Sequence, residues 1–475
     1  MTQRQLRSAS LLKILGQWHH PDTRIPVYRQ LAEGLRLLIL DGRLPLNNRL
    51  PGERELADSL ALSRTTVANA LNQLREEGYL QSRQGSGSVT RLPDTQVTQQ
   101  AYTVPGDTLD LATAALPASP AIHQAYQRAI TGLTEHLGST GYDSQGLPRL
   151  RTAIARHYCQ RGLATTPDQI MVVNGAVSGL ALLLRLFTGP GDRVLVDHPT
   201  YPMALDAIRG ASCRPVGVSL PANEGWDCDG FAATLAQTSP RLAYLIPDFH
   251  NPTGRCMSLA ERQSIAAIAQ RSHTPLVVDE TMAELWYDAP PPPPLACFGD
   301  AENIISLGSC GKSFWGGLRL GWIRTSPGVI ARLVQQRNTL DLGSPLLEQL
   351  TAAILIEEEE AILQEKRHQL QVQRDQCLAL IQSYFPHWQT TPPPGGLSLW
   401  VTLPSPAATR FAASAENIGI HLGPGPRFGI DGAFERFLRL PFTLETARME
   451  MALMRLLPVW QQLALVRSPA SNMMI

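Results

Sequence analysis

The chain has 475 residues, 44% hydrophobic and 17% charged, which excludes a wholly disordered or collagen-like protein and leaves apolar surface for more than one core. Its 41 basic residues balance 41 acidic ones, so the molecule as a whole has no net attraction for nucleic acid or an anionic membrane. Only Lys13, Lys312 and Lys366 among the basic residues are lysine, so any chemistry that needs an amine has three candidates.

The amino-terminal start carries only a short apolar run, Leu11 to Leu15, too short for a signal segment. No apolar run reaches the ~18 residues of a membrane span. The 7 cysteines are scattered without a C-x-x-C pair, which argues against a zinc knuckle or a disulfide framework and for a reduced, cytoplasmic setting. No membrane partner and no metal are expected.

Residues 25–92 read as short amphipathic helices ending in a Gly/Ser turn. From Arg24 to Arg91 there are ten arginines against seven acidic residues, a small local positive surplus. Glu53 to Leu60 predicts a helix with Leu56, Ala57 and Leu60 on one face, and Ala61-Leu62 fits a tight turn. Ser63 has the side-chain oxygen suited to an N-cap. The helix that follows turns Val67, Ala70, Leu71 and Leu74 inward and leaves Arg64, Thr65, Thr66 and Asn69 outward. Arg and Asn near a helix N-terminus suit the major groove, where Arg reaches guanine and Asn adenine. Gly85-Ser86-Gly87-Ser88 fits the turn of a hairpin between Gln81–Arg83 and Val89–Arg91. A plain helical bundle with solvated arginines has the same pattern.

Residues 93–108 are polar and proline-flanked, a linker composition. From Leu109 onward, strand candidates at Ile170–Val173, Arg193–Val196, Leu242–Ile246, Leu276–Val278 and Ile304–Ser306 alternate with helical stretches, which predicts an α/β fold with a mostly parallel sheet. Pro290 to Pro294 reads as a stiff surface loop. Glu357 to Glu360 followed by Lys366-Arg367 reads as a solvated helix.

Lys312 lies among glycines and small residues just past a strand, whereas Lys13 and Lys366 sit in charged or amphipathic stretches and read as solvated. An amine in a tight pocket has its pKa lowered and becomes a nucleophile toward an aldehyde. Ser309, Ser313 and Arg319 are placed to bind a phosphate nearby. Asp279 ends an apolar run, where a carboxylate can keep a pyridine nitrogen protonated. Gly175-Ala176 open a helix whose N–H groups suit phosphate. Tyr201 can stack on a ring, and Asn251, in His250-Asn251-Pro252-Thr253-Gly254, can donate to a phenolate oxygen. Each alone has an ordinary explanation as a cap, turn or core residue; together they fall in order after successive strands.

Two resemblances follow. Pro26-Val27-Tyr28, Leu50 to Ala57, Leu62 to Val67, Glu77 to Leu80 and Gly85 to Ser88 resemble the GntR-type winged helix-turn-helix. That likeness implies that Arg54 and Arg64 contact DNA and that Gly87 sits at the wing tip. Gly52 departs from the serine usual there. From about Leu109 to the C-terminus the chain resembles the fold-type I, class I/II aminotransferases, with a small α+β subdomain expected at roughly 340–475. This second likeness implies pyridoxal 5'-phosphate bound to Lys312, with Asp279 on the ring nitrogen, Asn251 on the ring oxygen and Tyr201 on the ring face. It places Gly175, Ala176, Ser309 and Arg319 around the phosphate. It also implies Arg439 gripping a substrate or effector carboxylate, and Tyr142 lent to a second copy in a homodimer. Met282 stands where the family usually has a tyrosine, and a thioether cannot donate to the ring oxygen.

The pair of domains resembles the MocR subfamily of bacterial regulators. The resemblance implies a cytoplasmic factor that binds a double-stranded DNA operator and senses pyridoxal phosphate or an amino-compound effector. Two other readings stand beside it: a working aminotransferase with an appended DNA module, and a DNA-binding dimer whose large domain serves only as a platform.

Overall fold

The computed structural model describes residues 8–15, 18–19, 26–40, 44, 48–83, 87–91, 108–220 and 225–465. The chain divides into two compact units, Met1–Gly106 and Asp107–Ile475. Residues 92–107, nearly all of the expected linker, lie outside the described residues, as do Gly85 and Ser86.

The first unit contains α1 (Ser8–Leu15), α2 (Val27–Leu40), α3 (Glu53–Leu60), α4 (Arg64–Glu76), β1 (Leu80–Arg83) and β2 (Gly87–Thr90). Its core gathers Leu31, Leu35, Leu56, Ala57, Val67, Ala70, Leu71 and Leu74. The 3–4 spacing of those residues gives each helix one apolar face, and burying those faces together holds the bundle. Between α3 and α4 the chain reverses at Ala61, which sits in the left-handed region at φ 53°. Ser63 then caps α4, its side chain accepting from the Thr66 N–H at 3.0 Å. The wing ladder pairs Leu80 with Thr90 and ends at Arg83 opposite Gly87. Gly87 and Ser88 therefore belong to the second wing strand and not to the turn, a correction to the four-residue turn read from the sequence.

In the second unit the elements are β3 (Leu109–Leu111), α5 (Pro120–Leu133), α6 (Pro148–Gln160), β4 (Ile170–Val173), α7 (Ala176–Phe187), β5 (Arg193–His198), α8 (Pro202–Gly210), β6 (Arg214–Ser219), α9 (Cys228–Thr238), β7 (Leu242–Leu245), α10 (Leu259–Arg271), β8 (Leu276–Asp279), β9 (Ile304–Ser309), α11 (Cys310–Ser313) and β10 (Gly321–Arg324). After them come α12 (Pro327–Arg337), α13 (Leu346–Glu357), α14 (Glu359–Tyr384), β11 (Ser398–Thr402), α15 (Ala408–Glu416), β12 (Ile420–Pro424), β13 (Phe437–Pro441) and α16 (Thr446–Leu465).

Seven strands form the large sheet in the order β4-β10-β9-β8-β7-β5-β6. The neighbours β9, β8, β7, β5 and β6 run parallel, and β10 runs antiparallel to both of its neighbours. The central strands β7 and β8 are buried on both faces, as helix-covered parallel sheets require, and the edge strand β4 is buried along its whole length too. Apolar clusters fill both sides of this sheet.

A smaller four-stranded sheet has the order β11-β13-β12-β3 and its own core. Its fourth strand comes from residues 109–111, at the other end of this unit's sequence, and pairs parallel to β12. Helix α13, in contrast, buries Leu350 to Ile356 in the core of the large sheet. The small subdomain thus takes in the first strand of the unit and excludes α13, unlike the contiguous 340–475 stretch expected.

The acidic run Glu357–Glu360 straddles a helix break: α13 ends at Glu357, and Glu358 at φ −112°, ψ 17° precedes α14. It is not one continuous solvated helix.

Candidate functional site

In the second unit, the segments that follow β4, β5, β7, β8 and β9 deliver side chains or turns to one hollow, the usual ligand position for open α/β sheets. A cavity of about 150 Å³ is lined by Gly175, Ala176, Val177, Tyr201, Ile246, Asn251, Asp279, Thr281, Met282, Ser309, Gly311, Lys312, Gly316 and Arg319. Eight residues singled out in the sequence therefore converge there: Gly175, Ala176, Tyr201, Asn251, Asp279, Ser309, Lys312 and Arg319.

Lys312 sits on α11, the one-turn helix that β9 runs into, with Ser309 capping it by accepting from the Gly311 N–H at 3.0 Å. Its Nζ donates to the Ala114 carbonyl at 2.7 Å. Burial lowers its pKa to about 8, with the Arg439 and Arg319 guanidinium groups pushing the same way and Asp279 opposing them. Such an amine is partly neutral near physiological pH, the state needed for attack on a carbonyl.

Asp279, at the end of β8, is buried. Its Oδ2 accepts from the Tyr244 hydroxyl at 2.6 Å and its Oδ1 from the Thr281 N–H at 3.0 Å. Burial raises its pKa, and these two donors and Lys312 hold the rise in check. A carboxylate so placed favours a cation directly in front of it.

At the other end of the hollow, Gly175 precedes α7 at φ 93°, a conformation that disfavours L side chains. A Cβ there would come within 3.3 Å of the Arg319 guanidinium, so the glycine leaves room beside the arginine. The N–H groups opening α7 and Arg319 offer an anion its donors, and beside them the Ser309 hydroxyl donates to the Leu320 carbonyl at 3.3 Å.

Arg439, on β13 and nearly buried, donates to Asn251 Oδ1 at 3.3 Å and to the Ala112 carbonyl. Its guanidinium lies 5.0 Å from the centre of the Phe428 ring. Its buried Nε has no hydrogen-bond partner among the described residues, and burial lowers its pKa to about 10. It is beside the hollow, joined to it through Asn251.

Tyr142 is 74% exposed and does not line this cavity. Met282, which stands where the resembled family usually has a tyrosine, does line it. The structure adds Tyr244, on Asp279, and Thr281, Ile246 and Gly316 in the lining. Tyr244 gave no sequence signal beyond one aromatic in an apolar strand. A larger and more open hollow of about 1000 Å³ lies among Trp400, Phe434 and Phe437, but holds none of the residues predicted for the site. Size alone does not mark the chemistry.

In the first unit, Arg54, Ser63, Arg64, Thr65 and Asn69 are exposed and Thr66 partly so, along the N-terminal halves of α3 and α4. Gly52, which replaces the usual serine, occupies the N-cap of α3 without a side-chain cap bond.

The fold and the cavity define a fold-type I, aminotransferase-like protein with a winged helix-turn-helix at its amino-terminal end. Residues 107–456 match the aminotransferase class I and II family, and the chain belongs to it. Residues 27–89 match the gntR family of bacterial regulatory proteins. Both domains together match the HTH-type transcriptional regulator YdfD of Bacillus subtilis at 26% identity over 433 residues, covering 85% of this chain and 90% of that one. The MocR protein of Rhizobium meliloti is 28% identical over 400 residues, covering 78% of this chain and 80% of that one. Among solved structures, LysN, an alpha-aminoadipate aminotransferase of Thermus thermophilus complexed with N-(5'-phosphopyridoxyl)-L-leucine, superposes with TM-score 0.69 at 24% identity. It covers 76% of this chain and 93% of its own. The domain pair is that of the MocR-type transcriptional regulators.

Proposed function

We propose that this protein is a cytoplasmic transcriptional regulator that holds pyridoxal 5'-phosphate at Lys312 and reads the cofactor, or an amino compound that reacts with it, to alter operator binding. The observation that carries the proposal is the convergence of Lys312, Asp279, Asn251, Tyr201, Gly175, Ser309 and Arg319 on one cavity, in a chain that also presents Arg54, Arg64, Thr65, Thr66 and Asn69 on an exposed helix pair.

The cavity's donors fit the cofactor. A lysine with a lowered pKa suits its aldehyde, a buried carboxylate suits its ring nitrogen, and an arginine beside an unfilled glycine suits its phosphate. When bound, the cofactor supplies an aldehyde that captures amines and a ring that withdraws electrons. In this reading Asp279 keeps the ring nitrogen protonated, steadied by Tyr244 and Thr281. Tyr201 packs on the ring face and Asn251 donates to the ring oxygen. Ala176 and Ser309 join Arg319 on the phosphate. Arg439, whose Nε is unpartnered among the described residues, takes the carboxylate of an amino-acid-like effector.

Tyr142, exposed and away from its own cavity, completes the phosphate site of a second copy, which makes the working unit a homodimer. On DNA, Arg64 and Asn69 read bases in the major groove. Arg54, Ser63, Thr65 and Thr66 hold register, and the wing residues Gly85 and Gly87 approach the backbone.

The visible spectrum of the purified protein with pyridoxal phosphate tests the cofactor half. A lysine-dependent band that Lys312→Ala abolishes is expected. Its absence, together with normal regulation by Lys312→Ala, would overturn the sensing proposal. A second reading, a working aminotransferase, is favoured by Arg439 beside Asn251 and disfavoured by Met282. Sustained turnover on the order of 1–10³ per second with an amino acid and a keto acid would select it. A single slow half-reaction selects the sensor.

A further inference from the structure

The other lysine of the second unit bonds to the backbone that follows Lys312. Lys366 projects from α14, and its Nζ donates to the Ser313 carbonyl at 2.7 Å and the Phe314 carbonyl at 3.0 Å. Those carbonyls close α11, the turn that carries Lys312. The last carbonyls of so short a helix have few helical donors, and an ammonium satisfies them with charge-assisted bonds. Burial alone lowers the pKa of Lys366, to about 8, with no neighbouring charge contributing. A half-buried cation without a charged partner among the described residues is costly, and its two carbonyl bonds are what offset that cost here.

Two neighbours on the same helix act alike. Arg367 Nε donates to the Glu284 carbonyl at 2.8 Å while its guanidinium stacks 4.1 Å over Trp286. Arg374 Nη1 donates to the Pro393 carbonyl at 2.8 Å. Helix α14 also bridges the two cores: Leu363 packs beneath the large sheet, and Leu370, Cys377 and Ile381 pack beneath the small one.

We infer that Lys366 is a positioning residue, which fixes the Lys312 turn from behind and ties the direction of the Lys312 amine to α14, the helix that both cores share. The inference rests on the reading of the cavity as a pyridoxal phosphate site. Lys366 does not line the cavity, and its nitrogen is turned to backbone, so it acts through the turn and not on the ligand.

The test uses the full-length protein with pyridoxal phosphate as probe, comparing wild type with Lys366→Met, Lys366→Gln and Lys366→Arg. Affinity and the pH at which the visible band titrates are read by absorbance. The attachment site is read by borohydride reduction and peptide mapping. Lys366→Met is expected to bind on the order of 10- to 100-fold more weakly, the loss typical of one or two charge-assisted bonds, with the band's titration displaced. The label should remain on Lys312. Lys366→Arg should recover most of the affinity, and Lys366→Gln, with a neutral donor, should fall between. If Lys366→Met does not fold, as judged by circular dichroism, the Gln and Arg variants decide by the same order. Wild-type affinity and titration in Lys366→Met, or in Lys366→Gln where Met is unfolded, would overturn the inference. So would equal losses in all variants, or label on Lys366. A wild type without any lysine-dependent band would instead remove the cofactor reading, and this inference with it.

Discussion

Replacing Lys312 by methionine should stabilise the cofactor-free second unit at neutral pH, although it removes the residue on which the proposed chemistry depends. The amine's pKa is lowered from its ordinary 10.5 to about 8, first by burial and then by Arg439 and Arg319. At about 1.36 kcal/mol per unit, a shift of that size corresponds to roughly 3 kcal/mol of unfavourable interaction. Lys312 is partly exposed, so solvent screening reduces the figure. The bond to the Ala114 carbonyl offsets about 1 kcal/mol more. A net gain of about 1 kcal/mol is expected for the uncharged, similarly shaped methionine.

The pH dependence identifies the cause. Because the folded pKa lies below the unfolded one, the unfolded chain binds more protons between about 8 and 10.5, and stability rises with pH across that window. The penalty is fully present below 8 and gone above 10.5. The advantage of Lys312→Met should therefore be largest at pH 7 and disappear toward pH 10.5, measured as the difference between matched denaturant or calorimetric transitions. A variant less stable than wild type at pH 7, or a gain that does not change with pH, would refute the electrostatic reasoning. Stability given up at a functional residue is a common trade.

Three further outcomes follow. Arg64→Ala should weaken operator binding by ~1–3 kcal/mol more than non-specific DNA binding, and an equal loss on all sequences would make Arg64 a phosphate contact. Tyr244→Phe should destabilise the second unit by about 1.5–3 kcal/mol at a pH where Asp279 is ionised, the range for a hydrogen bond to a charged group. That deficit should shrink as pH falls through the raised pKa of Asp279, because the lost bond then involves a neutral acid; a pH-independent deficit would show that Tyr244 matters through packing alone. Gly52→Ser should supply the N-cap bond that α3 lacks, raising the first unit's stability by a few tenths of a kcal/mol in thermal melts and, if its hydroxyl meets phosphate, tightening binding to all DNA sequences alike.

Much of the site was legible because its signals are local. Asp279 ends an apolar strand run, Gly175 opens a helix, and Ser63 precedes a helical period, so each could be placed from a few neighbours. The scarcity of lysine left Lys312 as the plausible amine. Lys366 was misread as solvated because its surroundings in sequence are charged, while its carbonyl partners are 52 and 53 residues away. Tyr244 was hidden for the same reason: its hydroxyl meets Asp279 across neighbouring strands, 35 residues on. Strand β6 contains a proline and a glycine, and β10 is a four-residue strand beginning with glycine, so neither gave a clear period. The small subdomain's first strand comes from residues 109–111, and no local pattern assigns so short a strand to a sheet built more than 280 residues later.

The central claim is that chemistry at Lys312 changes how the amino-terminal module binds DNA. The most direct measurement is operator affinity of full-length wild type and Lys312→Ala, with and without pyridoxal phosphate and with a panel of amino acids and amines added to the loaded protein. Pyridoxal phosphate or one of the amines should shift the wild-type affinity by about 5-fold or more, the scale of an ordinary allosteric coupling, and leave Lys312→Ala unmoved. Identical wild-type affinity under every condition, with the cofactor shown by its absorbance to be bound, would contradict the account and leave the second unit a dimerisation platform.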